Sequence, residues 1–112
     1  MKYFLTAEER KNSGSSCFIE FQKGAYDGKC WKKDSICMDE EIFYDFKMKR
    51  LFSSVLPQFD YFGITPVSKE QFEKIKSNAK DYSEEVQASV AELEEYFSGD
   101  AEDTVFFTIC GI

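Results

Sequence analysis

The chain has 112 residues, close to the commonest size for one domain, and 43% of them are hydrophobic. This composition excludes an intrinsically disordered chain, and no apolar run approaches the roughly eighteen residues that a membrane-spanning helix needs. The formal net charge is −7, and there is no histidine. We therefore predict one globular domain over residues 1–112. The start at Met1 lacks the pattern of a secretory signal, which predicts a cytoplasmic location.

Two strands are predicted at the amino-terminal end, over residues 2–6 and 17–22, with a polar loop between them. After the second strand, Asp27 and Gly28 form a dipeptide that is typical of hairpin turns. It predicts that the chain returns as a strand through residues 29–32.

A helix is predicted from Asp39 because apolar residues recur from there at intervals of three and four. This helix should end at Pro57, which cannot continue it. The beginning of the segment is ambiguous, since its apolar residues also alternate as in a strand: Ile42, Tyr44, Phe46 and Met48.

The segment 56–75, LPQFDYFGITPVSKEQFEKI, predicts a strand followed by a capped helix. The strand should span 59–65 and stop at Pro66. Ser68 then caps a helix, with Gln71 three residues later completing a capping box.

Helical periodicity continues from this cap to residue 98, but one helix of that length would measure about 45 Å. We therefore predict a break within 77–82, with Asp81 or Ser83 starting a second helix that Gly99 closes. The apolar run 104–110 predicts a central strand. The predicted fold class is α+β, a small and mostly antiparallel sheet with about three helices packed on one face.

The negative charge is concentrated in the last third of the chain. Residues 81–112 contain nine acids and no base, whereas residues 1–80 contain 12 acids and all 14 bases. Carboxylates at the carboxyl end of a helix are disfavoured by about 0.3 to 1 kcal/mol each, because they lie at the negative end of its dipole. Folding alone does not explain this distribution, although a solvated face that keeps the protein soluble remains an alternative.

We interpret this acidic segment as a surface that docks a basic protein partner. A helical wheel places the apolar residues of this segment on one side and the acids at positions 84, 85, 92 and 95 on the opposite side, and Tyr96 supplies an aromatic anchor. The candidate partner-binding residues are Glu84, Glu85, Glu92, Glu95, Tyr96, Asp100, Glu102 and Asp103.

Other kinds of function are disfavoured. The basic clusters at 29–33 and 47–50 are too short to favour a nucleic-acid ligand, and the chain is not expected to bind a membrane. The absence of histidine excludes histidine-based catalysis, and no phosphate-binding glycine loop is present. The four cysteines lack the paired spacing of zinc sites, which favours reduced structural thiols over disulfides, a metal site or a reactive thiol. We expect no cofactor, no metal and no catalytic residue.

The segment 56–75, together with the small size, the acidity and the α+β pattern, resembles immunity proteins of bacterial contact-dependent inhibition and related polymorphic toxin systems. The resemblance implies a protein that binds and occludes one cognate toxin, commonly a cationic nuclease. These immunity proteins share no active-site motif, so the resemblance assigns no site residue.

The expected function is therefore a cytosolic inhibitor of a basic toxin. One alternative is an interaction subunit or adaptor that uses an aromatic surface around Trp31 and Tyr61. The other is an enzyme with two carboxyl groups about 5 to 9.5 Å apart in a pocket.

Overall fold

The computed structural model describes residues 1–14, 17–98 and 105–111. These residues form five strands and five helices. In chain order the elements are β1 (Leu5–Thr6), α1 (Ala7–Lys11), β2 (Phe18–Lys23), β3 (Ile36–Asp39), α2 (Glu40–Asp45), α3 (Met48–Val55), β4 (Ile64–Val67), α4 (Lys69–Ala79), α5 (Glu84–Phe97) and β5 (Phe107–Cys110).

The five strands form one sheet in the order β1-β3-β2-β5-β4, and every pairing between them is antiparallel. The carboxy-terminal strand β5 lies between β2 and β4, so the prediction that it is not an edge strand is confirmed. In this position β5 pairs with β2, and Cys110 is the cross-strand partner of Glu20.

The three longest helices, α3, α4 and α5, contribute aromatic rings that pack against the sheet. Phe21 of β2 contacts Phe52 of α3, with ring centroids 6.2 Å apart. Phe107 of β5 contacts Phe72 of α4 at 5.5 Å and Phe97 of α5 at 5.2 Å. These contacts confirm the α+β class, and the two additional helices, α1 and α2, have only five and six residues.

Local sequence signals determine where α4 and α5 begin. The Ser68 hydroxyl accepts the Gln71 N–H, and the Gln71 side chain accepts the Ser68 N–H, which confirms the predicted capping box. The Ser83 hydroxyl accepts the Val86 N–H at the start of α5. The predicted break between two helices is therefore confirmed, whereas Gly99 lies outside the described residues.

The segment predicted as one helix from Asp39 is helical, but it is divided into two helices, α2 and α3. Residues 36–39 form β3, and the Asp39 side chain then caps α2 by accepting the Glu41 N–H. The chain turns between α2 and α3 at Lys47, whose φ of 62° is left-handed. The alternating pattern over 42–48 therefore corresponds to a helix and a turn, and α3 ends one residue before Leu56, as Pro57 requires.

The predicted return strand at 29–32 is also wrong, because the strand that pairs with β2 is β3. Residues 24–35 form a long loop instead. The backbone N–H groups of Trp31 and Lys32 donate to the carboxylate of Glu20, each at 2.8 Å. These two N–H groups are therefore not available for the strand-to-strand hydrogen bonds of a sheet.

The strand predicted at 59–65 lies further along the chain, over 64–67, and Pro66 is inside it rather than beyond it. Proline is tolerated there because β4 pairs with β5 alone and is an edge strand. Preceding residues form a turn in which the Asp60 side chain accepts the Phe62 N–H.

Candidate protein-binding surface

Helix α5 has one face in the core and one in solvent, as its periodicity predicts. Its apolar residues are buried: Val86, Val90, Leu93 and Phe97. Glu84, Glu85 and Glu95 are exposed, and we call these three residues the acidic face of α5. None of the three takes part in an ion pair with any residue that the structure describes. Of the other candidates, Asp100, Glu102 and Asp103 lie outside the described residues.

Glu92 differs from the acidic face because its carboxylate is already bound within the protein. It accepts backbone N–H bonds from Lys2 at 3.0 Å, from Tyr3 at 3.0 and 3.1 Å and from Phe4 at 3.3 Å. This helical side chain therefore binds the backbone of residues 2–4, and β1 is limited to residues 5–6 although a strand over 2–6 is predicted. Nothing in the local sequence around Glu92 indicates this contact, which joins residues about 90 positions apart.

Tyr96 is also held by contacts within the chain. Its hydroxyl donates to the backbone carbonyl of Asp34 at 2.9 Å, and the ammonium group of Lys23 lies 5.3 Å from its ring centroid. The tyrosine thereby connects α5 to the end of the loop 24–35. A partner that contacted Tyr96 would meet an already positioned ring beside a lysine.

One acid of α5 that the sequence analysis did not select has a basic partner. Glu94 forms a salt bridge with Lys76 of α4, which also pairs with Glu73 at 3.2 Å. Hydrogen bonding to Glu94 raises the pKa of Lys76. The last third of the chain contains no base, but the packing of α4 against α5 brings one to it. Helical spacing within α5 gives no sign of this pair.

Basic residues border the amino-terminal end of the acidic face. A groove of about 640 Å³ contains Glu85 from α5 together with Lys47 and Arg50 from the beginning of α3. Both cations belong to the short basic cluster 47–50. The groove also contains Asp45 and Asp81, so two cations lie among three acids and balance the negative charge around Glu85 only in part.

A second group of functional side chains lies on the opposite face of the sheet from Ile19 and Phe21. A Glu20 carboxylate oxygen and the sulfurs of Cys30 and Cys110 all lie within 4.8 Å of one another. Their spacing and their ligand atoms, one carboxylate oxygen and two sulfurs, would allow these described side chains to hold a metal ion. The sequence analysis missed this group because its members are 10 and 80 residues apart and converge only when β2, β5 and the loop 24–35 come together.

The aromatic residues named for the alternative function have different environments. Trp31 is 45% exposed, and the guanidinium of Arg10 lies 4.5 Å from its ring centroid. Tyr61 is partly buried and donates its hydroxyl to Glu40 at 2.6 Å. Its neighbour Phe62, which sequence reasoning did not select, is 75% exposed.

Comparisons of the chain with protein-family models, with curated proteins and with solved structures found no match. None of the described helices is both long enough and apolar enough to cross a membrane.

Proposed function

We propose that this protein binds a basic protein partner through the acidic face of α5 and acts as an immunity-type inhibitor of a cationic toxin in the cytosol. The observation that carries the proposal is the exposure of Glu84, Glu85 and Glu95 on one helix, with no ion pair to any described residue. The resemblance over residues 56–75 suggests the toxin class, most often a nuclease.

The carboxylates of the acidic face repel one another, and a basic partner would relieve this repulsion. Two unit charges 10 Å apart interact by about 0.4 kcal/mol in water and by about 1.7 kcal/mol at an effective dielectric of 20. Lysine or arginine side chains of a partner would replace this repulsion by attraction. The field of such a surface also speeds diffusional encounter, up to about 10⁸ M⁻¹s⁻¹ at low salt.

Within the set of candidate residues, the contacts suggest two different roles. Glu84, Glu85 and Glu95 are available for direct pairing because their side chains are exposed. Glu92 and Tyr96 already bind residues 2–4 and Asp34, and in this proposal they hold the surroundings of the helix in place.

The proposal predicts that the gene immediately upstream encodes the toxin domain, and the test uses that gene product in a catalytically inactive form. The triple variant E84Q/E85Q/E95Q should associate at least tenfold more slowly than the unmodified protein at low salt, measured by stopped-flow fluorescence or surface plasmon resonance. Association of the unmodified protein should slow strongly as ionic strength rises, because the Debye length falls from about 30 Å at 0.01 M salt to about 8 Å at 0.15 M.

A matched control separates local charge from net charge. The variant E8Q/E41Q/E70Q removes the same number of charges from exposed positions on α1, α2 and α4 and should associate almost as fast as the unmodified protein. Equal rates for both triple variants would contradict the proposed docking surface. Failure of the upstream gene product to bind the unmodified protein at all would contradict the immunity function.

The aromatic alternative has one observation in its favour, which is the exposure of Tyr44 at 70% and of Phe62 at 75%. Large exposed rings of this kind supply anchors in protein interfaces. If they carry the binding, the variant Y44S/F62S should weaken the complex at every salt concentration, and the acidic-face variant should have little effect.

A further inference from the structure

The loop 24–35 is attached to β2 through Glu20. This carboxylate is fully buried and accepts four hydrogen bonds. The donors and distances are the Trp31 N–H at 2.8 Å, the Lys32 N–H at 2.8 Å, the Ser35 hydroxyl at 2.6 Å and the Gln22 amide at 2.9 Å. Three of the four donors belong to the loop, so the loop that carries Cys30 is held against the strand that carries Glu20.

Two thiols meet beside this carboxylate. Cys110 lies on β5 directly opposite Glu20 and is 3% exposed. Cys30 lies on the loop and is exposed to solvent. Their sulfur atoms are within 4.8 Å of each other, and the Tyr26 hydroxyl lies 3.8 Å from the Cys30 sulfur. Cys30 is therefore accessible to an external reagent, whereas Cys110 is accessible chiefly to Cys30.

The bonding of Glu20 argues for thiol chemistry rather than metal chemistry at this site. An ionised carboxylate offers about four lone-pair sites, and four donors already occupy those of Glu20. A metal ion would have to displace one of these buried donors to gain an oxygen ligand. Each donor left without a partner would oppose binding of the ion, whereas a bond between the two sulfurs takes no acceptor oxygen away from these donors.

We propose that Cys30 and Cys110 form a redox-active dithiol that a low-molecular-weight disulfide, such as oxidised glutathione, converts to an intramolecular disulfide. The Cys30 thiolate attacks one sulfur of the small disulfide, which forms a mixed disulfide and releases one small thiol after protonation. The Cys110 sulfur then attacks the Cys30 sulfur, the Cys110 proton passes to the departing sulfur, and the second small thiol leaves. The protein loses two protons and two electrons, and the small disulfide gains them.

The environments of the two thiols set this order of steps. Burial, reinforced by the neighbouring Cys30 and Glu20, raises the pKa of Cys110 well above its usual value, so this thiol stays protonated at rest. The exposed Cys30 therefore meets the external disulfide, and Cys110 reacts within the protein. Closing the sulfur–sulfur distance to about 2.05 Å requires side-chain rotation and a small movement of the loop.

The experiment treats the purified protein with oxidised glutathione, unfolds it in urea, blocks the remaining thiols with iodoacetamide and measures the intact mass and the peptide map. The expected product is lighter than the reduced protein by two hydrogen atoms before alkylation, carries two carbamidomethyl groups, on Cys17 and Cys37, and yields a cross-linked peptide containing Cys30 and Cys110. Its urea midpoint should rise, and dithiothreitol should return it to the starting value.

Variants distinguish this pair from general oxidation. Cys17→Ser, which removes the other exposed cysteine, should still form the bridge. Cys110→Ser should stop at the mixed disulfide with glutathione on Cys30, and Cys30→Ser should leave Cys110 reduced. Stable glutathionylation of Cys30 in the unmodified protein, or a bridge between any other two cysteines, would overturn the proposal. Unchanged reduced protein after treatment would do so as well.

Discussion

Glu20 and the acidic face of α5 differ in how the charge of a carboxylate is compensated within one small domain. Glu20 is completely buried, and its charge is balanced by four hydrogen-bond donors of the chain. Glu84, Glu85 and Glu95 are exposed and have no ion-pair partner among the described residues. A buried charge must be satisfied for the chain to fold, whereas an exposed charge can be left for a partner.

Glu92 shows that position in the sequence does not separate the two kinds of carboxylate. It lies on the same helix as the acidic face, but it binds the backbone of residues 2–4 in the way that Glu20 binds the loop 24–35. Both acids accept hydrogen bonds from backbone N–H groups that have no partner in a helix or a sheet. The comparison therefore predicts that Glu20 and Glu92 contribute to stability and that the acidic face does not.

The largest expected effect is that of Glu20→Gln. A glutamine side chain offers one acceptor oxygen, so about two of the four donors to the buried side chain lose their partner, and we expect a loss of about 3 kcal/mol in the free energy of unfolding. Urea denaturation monitored by circular dichroism measures this loss. Glu41→Gln, at an exposed position, is the control. A loss of under about 1 kcal/mol would show that the carboxylate does not organise the loop.

A smaller effect is expected for Glu92→Gln. The amide oxygen still accepts hydrogen bonds, but the charge that strengthens them is removed, and we expect a loss of about 1.5 kcal/mol. Hydrogen exchange at the backbone amides of Tyr3 and Phe4 should become faster. The matched control is Glu95→Gln on the same helix, with an expected change within about 0.5 kcal/mol. Equal losses for the two variants would remove the distinction between these acids.

The smallest effect concerns Glu40, whose carboxylate accepts a hydrogen bond from Tyr61. Burial, then the hydrogen bond to Glu40, raises the pKa of Tyr61 from 10.0 to about 12. Between these two values the folded state holds a proton that the unfolded state has lost, so the resulting stability is present below pH 10 and is lost as the pH rises to about 12.

Tyr61→Phe tests this pH dependence. The unfolding free energy, measured in urea from about pH 9 to about pH 12, should fall less steeply in the variant than in the unmodified protein. Some slope should remain, because burial also raises the pKa of Cys37, from 9.0 to about 11. Identical slopes would mean that the Tyr61 hydroxyl has no preferred partner in the folded state.

The elements that sequence reasoning predicted well are those whose signals lie within a few residues. Ser68 and Gln71 are three positions apart and form both bonds of their capping box. The helical spacing of Val86 and Leu93 likewise correctly predicted the buried side of α5. Such signals act between neighbours in the chain, so they are the same before and after the chain folds.

The elements that it predicted wrongly depend on contacts between distant residues. The turn at Asp27 and Gly28 favoured a hairpin, but Glu20 binds the N–H groups of Trp31 and Lys32 and keeps the segment out of the sheet. Pro66 favoured the end of a strand, and it is accommodated because β4 lies at an edge. A local pattern cannot reveal which strand is at an edge or which buried acid lies beneath a loop.

The sequence by itself determined the α+β class, the capping box of α4 and the accumulation of acids near the carboxyl end, because composition and short-range hydrogen bonding determine these features. The tertiary structure alone decided which acids remain available. In the folded protein Glu94 pairs with Lys76, Glu92 binds the backbone of residues 2–4, and Glu20 binds the loop 24–35. The acidic face of α5 remains exposed to solvent. The physical reason is that a carboxylate takes the donors nearest to it in space, and only the packing of distant segments fixes which donors those are.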